Sequence, residues 1–131
     1  LMKSLLPPGW PRPKGYSNGI SATGRLIVTA GVVGWDEREM FPSHRLDGQF
    51  AQALRNIIAI LKEDGAGPEH IVRLTVYVTD IQEYLSQRDE LAPIWKSIMG
   101  SNYPAMALVE VRRLVENSAK VEIEATAVIP E

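Results

Sequence analysis

The feature that most constrains this chain is a change of hydrophobic period in its middle third. Phe50, Leu54, Ile57 and Leu61 recur at helical spacing, while Gln52, Arg55, Asn56 and Lys62 lie mostly off that stripe. Gly65 to Pro68 stops the helix, and Ile71 to Val78 then alternates with a period of two. An apolar helical stripe followed at once by an alternating strand buries both surfaces if the helix lies on the sheet that holds the strand. Val72, Leu74, Val76 and Val78 are expected to face that helix, and Asp47 is placed to cap its start.

The flanks extend the same logic. Pro7-Pro8-Gly9-Trp10-Pro11-Arg12-Pro13 cannot be helical, so residues 1–13 are expected to run as an extended arm over the surface. Tyr16 to Ala22 and Leu26 to Val33, joined by Thr23-Gly24, read as a hairpin. Gly31 and Gly34 interrupt its second strand and suggest a bulge, or a place where a ligand meets backbone. Residues 34–45 are polar and read as loop. A second helix is expected from Tyr84 to Met99, burying Leu91, Trp95, Ile98 and the edge of Leu85, with Pro93 marking a kink or a late start. Strands Ala105 to Val111 and Ala119 to Val128 follow, separated by Glu116-Asn117-Ser118.

The order is therefore β-β-α-β-α-β-β, with room for a further short strand near the first two. The fold class this predicts is α+β: a two-layer domain over residues 1–131, with two helices on one face of a mixed sheet. The other sheet face is also apolar, because Ile27 alternates with Val28, and Leu108 with Ala107 and Val109. A sheet apolar on both faces with helices for one calls for a partner, and a cyclic homo-oligomer supplies it.

Several function classes are disfavoured. Net charge is −2 and the Lys and Arg residues are scattered, so no nucleic-acid partner is expected. The chain has no cysteine, which removes disulfides, thiolate metal sites and a Cys nucleophile. No apolar run approaches the roughly 20 residues that span a bilayer, and the N-terminal segment is too weakly apolar for a secretory signal. No membrane partner and a cytoplasmic location are the expectations. His44 and His70 stand alone without a second ligand at useful spacing, so neither a metal nor another cofactor is expected.

Pro104-Ala105-Met106-Ala107-Leu108-Val109-Glu110-Val111-Arg112-Arg113-Leu114, followed by Val121-Glu122-Ile123, resembles the signature of the RidA family (YjgF-type, also called endoribonuclease L-PSP). Gly15-Tyr16, Thr29-Ala30-Gly31 and the Gly-rich break before Ile71 fit as well, so the resemblance covers nearly the whole chain. It implies a chorismate-mutase-like fold assembling as a homotrimer, with ligand clefts between neighbours that hydrolyse an imine or enamine to a carbonyl and ammonia. Glu122 matches the carboxylate that positions or activates water, the catalytic residue. Tyr16, Ala30 and Gly31 match positions lining the cleft, Asp89 lies where many members carry asparagine, and Met106 and Ala107 complete the substrate-binding set.

Each of these residues also has a structural reading. Glu122 and Glu124 could be polar residues on an edge strand, Tyr16 a packing aromatic, and Gly31 the hinge of a bulge. Met106 is the departure that matters, because it stands where the family arginine grips a substrate carboxylate through a two-donor fork. Three consequences are open: another cation (Arg73, Arg112 or Arg113) takes over, the substrate lacks that carboxylate or is bulkier and more apolar, or catalysis is lost and the cleft only binds. The opening Pro7-Pro8-Gly9-Trp10-Pro11 with Lys14-Gly15-Tyr16-Ser17-Asn18-Gly19 is similar to a branch in aromatic-compound catabolism that includes 2-aminomuconate deaminases. The resemblance and its departure at Met106 together point to an altered enamine or imine deaminase first, a small-metabolite-binding trimer second and a ribonuclease last.

Overall fold

A computed structural model describes residues 2–131. Seven strands, β1 (Met2–Ser4), β2 (Ile20–Ala22), β3 (Arg25–Val28), β4 (Val32–Val33), β5 (Ile71–Val78), β6 (Ala105–Glu110) and β7 (Val121–Ile129), are joined with three helices, α1 (Leu46–Lys62), α2 (Ile81–Ser86) and α3 (Arg88–Met99). The main sheet runs β3-β7-β5-β6, with β4 continuing the β3 edge along β7. All pairs are antiparallel except β5 with β6, which α2 and α3 join by a crossover. The helices cover one face, as the two hydrophobic periods require.

The core lies between α1, α3 and the inward residues of β5 and β7. Leu54, Ile57 and Leu61 of α1 meet Leu74, Val76, Val78, Ile123 and Ala127, all completely buried. Truncating such a leucine to alanine would cost about 2–5 kcal/mol. Ile71, rather than Val72, is buried at the start of β5, because the register with β7 slips between Ile71 and Arg73. Asp47 sits inside the first turn of α1 and accepts from the Gly48 N–H, while Arg45 is the flanking residue.

The second helix starts earlier than its apolar stripe suggests and is split in two. Asp80 caps α2, its Oδ1 accepting from the N–H groups of Gln82 and Glu83. The break comes at Gln87, not at Pro93, because the Gln87 side chain turns inward and its Oε1 accepts from Asp47 N–H at 2.8 Å. Leu91, Trp95 and Met99 are buried, Ile98 is half-buried, and Leu85 is exposed.

The expected N-terminal hairpin does not form. β2 pairs with β1 in a separate two-stranded ribbon, and β3 pairs with β7. The arm therefore contains a strand of its own, with its first residue outside the described ones. Ser17 bridges to Ala105 at the start of β6, and its hydroxyl contacts the Tyr103 carbonyl. Residues 17–22 thus cross the end of the sheet before β3 begins. The turn into β3 needs Gly24, whose φ is 150° and where an added Cβ would lie 2.1 Å from the Ile129 carbonyl oxygen. The outer face of the sheet leaves Leu26, Val28 and Val109 exposed beside the Tyr77–Glu124 hydrogen bond of 2.8 Å.

Candidate functional site

The break between β3 and β4 is a β-bulge. Val28 pairs with Thr126 and Val32 with Ile123, so four steps on the edge oppose three on β7. Thr29 holds the displaced segment: its N–H donates to the Ala125 carbonyl and its Oγ1 accepts from the Ala125 N–H at 3.0 Å. The bulge carries Ala30 and Gly31 outward, where both are exposed. Glu122 is half-buried on β7, an interior strand rather than an edge, and it reaches toward the bulge. A Cβ added to Gly31 would lie 2.2 Å from its Oε2. Glycine at 31 therefore leaves the room that the carboxylate occupies.

This carboxylate lines a cavity of about 550 Å³ at the β4 edge. Asp36, Glu37 and Glu116 line it with Glu122, and no Lys or Arg does. Trp35, Ala59 and Ile60 supply apolar wall. Asn56 of α1 fixes the backbone here, its Nδ2 donating to the carbonyls of Val33 at 3.0 Å and Trp35 at 2.7 Å. Asp36 orders the following turn by accepting from the N–H groups of Arg38 and Met40. Nearby, buried Gln49 ties three segments together: it donates to the carbonyls of Ser43 and Ser118 and accepts from Lys120 N–H. Lys120 in turn pairs with Glu83 at 2.8 Å.

Met106 is elsewhere. It pairs with Leu74 in the parallel ladder and so points to the helix side, packed against the core. It lines a second cavity, of about 380 Å³, with Leu108 on the same strand. The walls are Phe50, Tyr84, Leu91, Trp95 and Tyr103, and the charged groups are Lys14 and Arg88. Trp95 and Tyr103 stack with ring centroids 6.1 Å apart and planes 8° apart. The Trp95 indole nitrogen is the buried side-chain polar atom without a hydrogen-bond partner among the described residues. Burial pushes the Tyr84 hydroxyl above its usual range, and the Arg88 guanidinium opposes that shift.

Within one chain the predicted residues thus fall into two groups. Gly31 and Glu122 share the acidic cavity, and Met106 lines the basic, aromatic one. Tyr16 is exposed, between Gly15 at the mouth of the Met106 cavity and Ser17 on the sheet end. Ala107 is exposed opposite Thr75 on the outer face, and Asp89 is exposed in the first turn of α3, lining neither cavity. Arg73 lies on the outer face with Glu124, and neither Arg112 nor Arg113 lines the Met106 cavity. His70 serves a turn, its Nδ1 accepting from Gly67 N–H. Sequence reasoning missed Arg88 and Tyr84, which flank the break at Gln87 and line one cavity from α3 and α2, and it took Trp95 only as core.

A mixed sheet with three helices on one face, a Gly-backed carboxylate and a bulged edge define the class. The chain belongs to the family described as endoribonuclease L-PSP, whose model matches residues 11–129. A RutC family protein of Aquifex aeolicus is 33% identical over 128 residues, covering 97% of this chain and 99% of that protein. The 2-iminobutanoate/2-iminopropanoate deaminase of Salmonella typhimurium is 29% identical, covering 86% of each chain. Among solved structures, YyfB of Yersinia pestis, from the conserved Rid protein family, superposes with a TM-score of 0.85 at 27% identity over 98% of both chains. The YjgF gene product of E. coli gives 0.70 at 29% identity, over 96% of this chain and 98% of that one.

Proposed function

We propose that this chain is a hydrolytic enamine/imine deaminase with an altered substrate, working as a homotrimer whose clefts join the acidic cavity of one subunit to the Met106 cavity of the next. The observation that carries the chemistry is Glu122 folded over the bare backbone of Gly31 at the edge of an open cavity. Starting from the iminium, the carboxylate takes a proton from water as the water oxygen bonds to the imine carbon, and the C=N π pair moves onto nitrogen to give a neutral carbinolamine. Glu122 returns that proton to the nitrogen; the C–N bond then breaks as the hydroxyl oxygen becomes the carbonyl, its proton passing through Glu122 to the released ammonia. Relatives named as 2-iminobutanoate/2-iminopropanoate deaminases support the reaction class. The acidic lining favours an iminium over an anion at this end. A conjugated catabolic intermediate of the 2-aminomuconate kind is the substrate type that Met106 suits better than a compact 2-imino acid.

Assembly is supported by two features. Leu26, Val28 and Val109 are exposed on the uncovered sheet face, at 64%, 65% and 43%. Glu122 and Met106 also line separate cavities, so a cleft containing both needs a second chain. Sedimentation analysis should give a trimer, and a stable monomer that retains turnover would refute the shared cleft. For the reaction, an imine generated in situ should hydrolyse faster with the protein than without it, and Glu122→Gln should lose about 10²-fold or more of that rate. Equal rates with and without the wild-type protein would sink the deaminase reading.

A second reading is favoured by Met106 itself, whose flexible apolar side chain packs on the core and cannot grip a carboxylate. In that reading the trimer binds a small metabolite without turning it over. Saturable binding with a raised Tm and no ammonia release is its signature. Ribonuclease activity is disfavoured by four carboxylates and no cation around the Glu122 cavity, which repel a phosphodiester.

A further inference from the structure

We infer that the cavity around Met106 is a site for a planar aromatic or conjugated carboxylate, with the ring against Trp95, Tyr103 and Met106 and the carboxylate held by Arg88. This names the substrate class of the proposed cleft and rests on that reading only for the fate of the ligand after binding.

The cavity wall decides the ring. Three aromatic side chains, Phe50, Tyr84 and Trp95, come from the helix layer, and Tyr103 stacks on Trp95 from the turn before β6. Methionine at 106 adds a polarisable thioether that packs well against aromatic faces. At about 380 Å³ the space suits one ring with a short substituent rather than a three-carbon acid alone.

Charge decides the orientation. Arg88 and Lys14 line this cavity, and no carboxylate does. Neither has an ion-pair partner among the described residues, so each is available to an anion. Arg88 opens α3 four residues after Tyr84 and lies close enough to act on the Tyr84 hydroxyl. Its planar fork matches a carboxylate in two parallel hydrogen bonds, which the Lys14 ammonium cannot reproduce. The Glu122 cavity, with four carboxylates, repels the same group. Arg88 thus restores, from a helix, the contact that position 106 has given up. The Trp95 indole N–H has no hydrogen-bond partner among the described residues.

The test is titration calorimetry on the purified oligomer with benzoate, benzyl alcohol and pyruvate. Benzoate should bind at least tenfold more tightly than either of the others. Arg88→Gln should weaken benzoate at least tenfold and leave benzyl alcohol unchanged, and Arg88→Lys should recover only part of the loss. Met106→Arg should fill the ring space and reverse the preference toward pyruvate. The inference is overturned if pyruvate binds as tightly as benzoate, if Arg88→Gln binds benzoate like the wild type, or if no acid binds because a neighbouring subunit fills the cavity. Benzoate binding should also survive Glu122→Gln. Binding without turnover of any imine refutes the deaminase reading and leaves this one standing, whereas turnover without benzoate binding does the reverse.

Discussion

The two cavities of this chain differ in how they are built as much as in their charge. The Glu122 cavity is built around backbone: a bulge and carbonyls held by Asn56, with carboxylates around it and Trp35, Ala59 and Ile60 as its apolar wall. The Met106 cavity is made from large side chains on regular elements, with two cations at its rim. A backbone-built site fixes one reacting group closely and tolerates no extra atom. A side-chain-built site tolerates substitution and changes its preference with one residue. Chemistry is therefore vulnerable at the bulge, and substrate choice is adjustable at β6 and α3.

The largest expected effect comes from crowding the bulge. Gly31→Val places carbon where Glu122 Oε2 now lies, so the carboxylate must leave its position or the bulge must open. Imine hydrolysis should fall about 10²-fold or more, in line with displacing a general base. Benzoate affinity should be unchanged, because Gly31 does not line the Met106 cavity. Loss of both would show that the two cavities are not separable. Steady-state ammonia release and calorimetry on the same preparation make the comparison.

Next is the support behind the bulge. Asn56→Leu removes the donor shared by the Val33 and Trp35 carbonyls. Leaving two carbonyls in a half-buried place costs about 1–3 kcal/mol. Urea unfolding should show that loss, and turnover should drop while benzoate binding holds. A variant as stable as the wild type would mean water replaces the amide.

How much of this contrast can be read from residues alone follows the same division. Periodicity finds elements whose burial is one-sided, so α1, β5, β6 and β7 were legible from Leu54, Leu74, Leu108 and Ile123. It does not say which strand pairs with which. Tyr16 to Ala22 and Leu26 to Val33 look like hairpin partners, yet β2 takes β1 and β3 takes β7. The start of α2 was missed because its stripe is short, although Asp80-Ile81-Gln82-Glu83 carries a capping pattern. Within the site, the resemblance pointed to Glu122 and Gly31, and the bulge explains their closeness. Arg88 and Tyr84 were invisible because a cation beside an aromatic on a helix looks like any solvated face until the facing strand is placed.

A smaller effect separates packing from hydrogen bonding in the aromatic cavity. Trp95→Phe deletes the indole N–H that has no protein partner and also some ring area. The unfilled N–H costs about 1–3 kcal/mol in the free protein, against about 1–2 kcal/mol for the lost packing. The net change in stability should therefore stay within about 1 kcal/mol, while benzoate affinity falls if its carboxylate or ring depends on the indole. A large destabilisation would mean that the indole is mainly core.

The smallest effect concerns the junction that holds the aromatic cavity to α1. Asp47 accepts two hydrogen bonds from Arg45, at 3.1 and 3.0 Å, while its own N–H is held by Gln87 at the α2–α3 break. The Arg45 guanidinium keeps the Asp47 carboxyl below the usual range, burial opposing and the Gly48 N–H assisting. A carboxyl whose folded pKa is depressed stabilises the fold above its unfolded value, about 3.9, and loses that contribution as pH falls through the folded value. Arg45 is largely exposed, so solvent screens the pair and its contribution to stability is small. Asp47→Asn should lower Tm modestly at pH 7, and the difference from wild type should shrink as pH falls below the unfolded value and through the depressed folded one. Since Asp47 lies beside the Gln87 junction, benzoate binding should weaken slightly in the variant and ammonia release at the bulge should not. A Tm difference that is constant with pH would show that the side chain acts by packing rather than by charge.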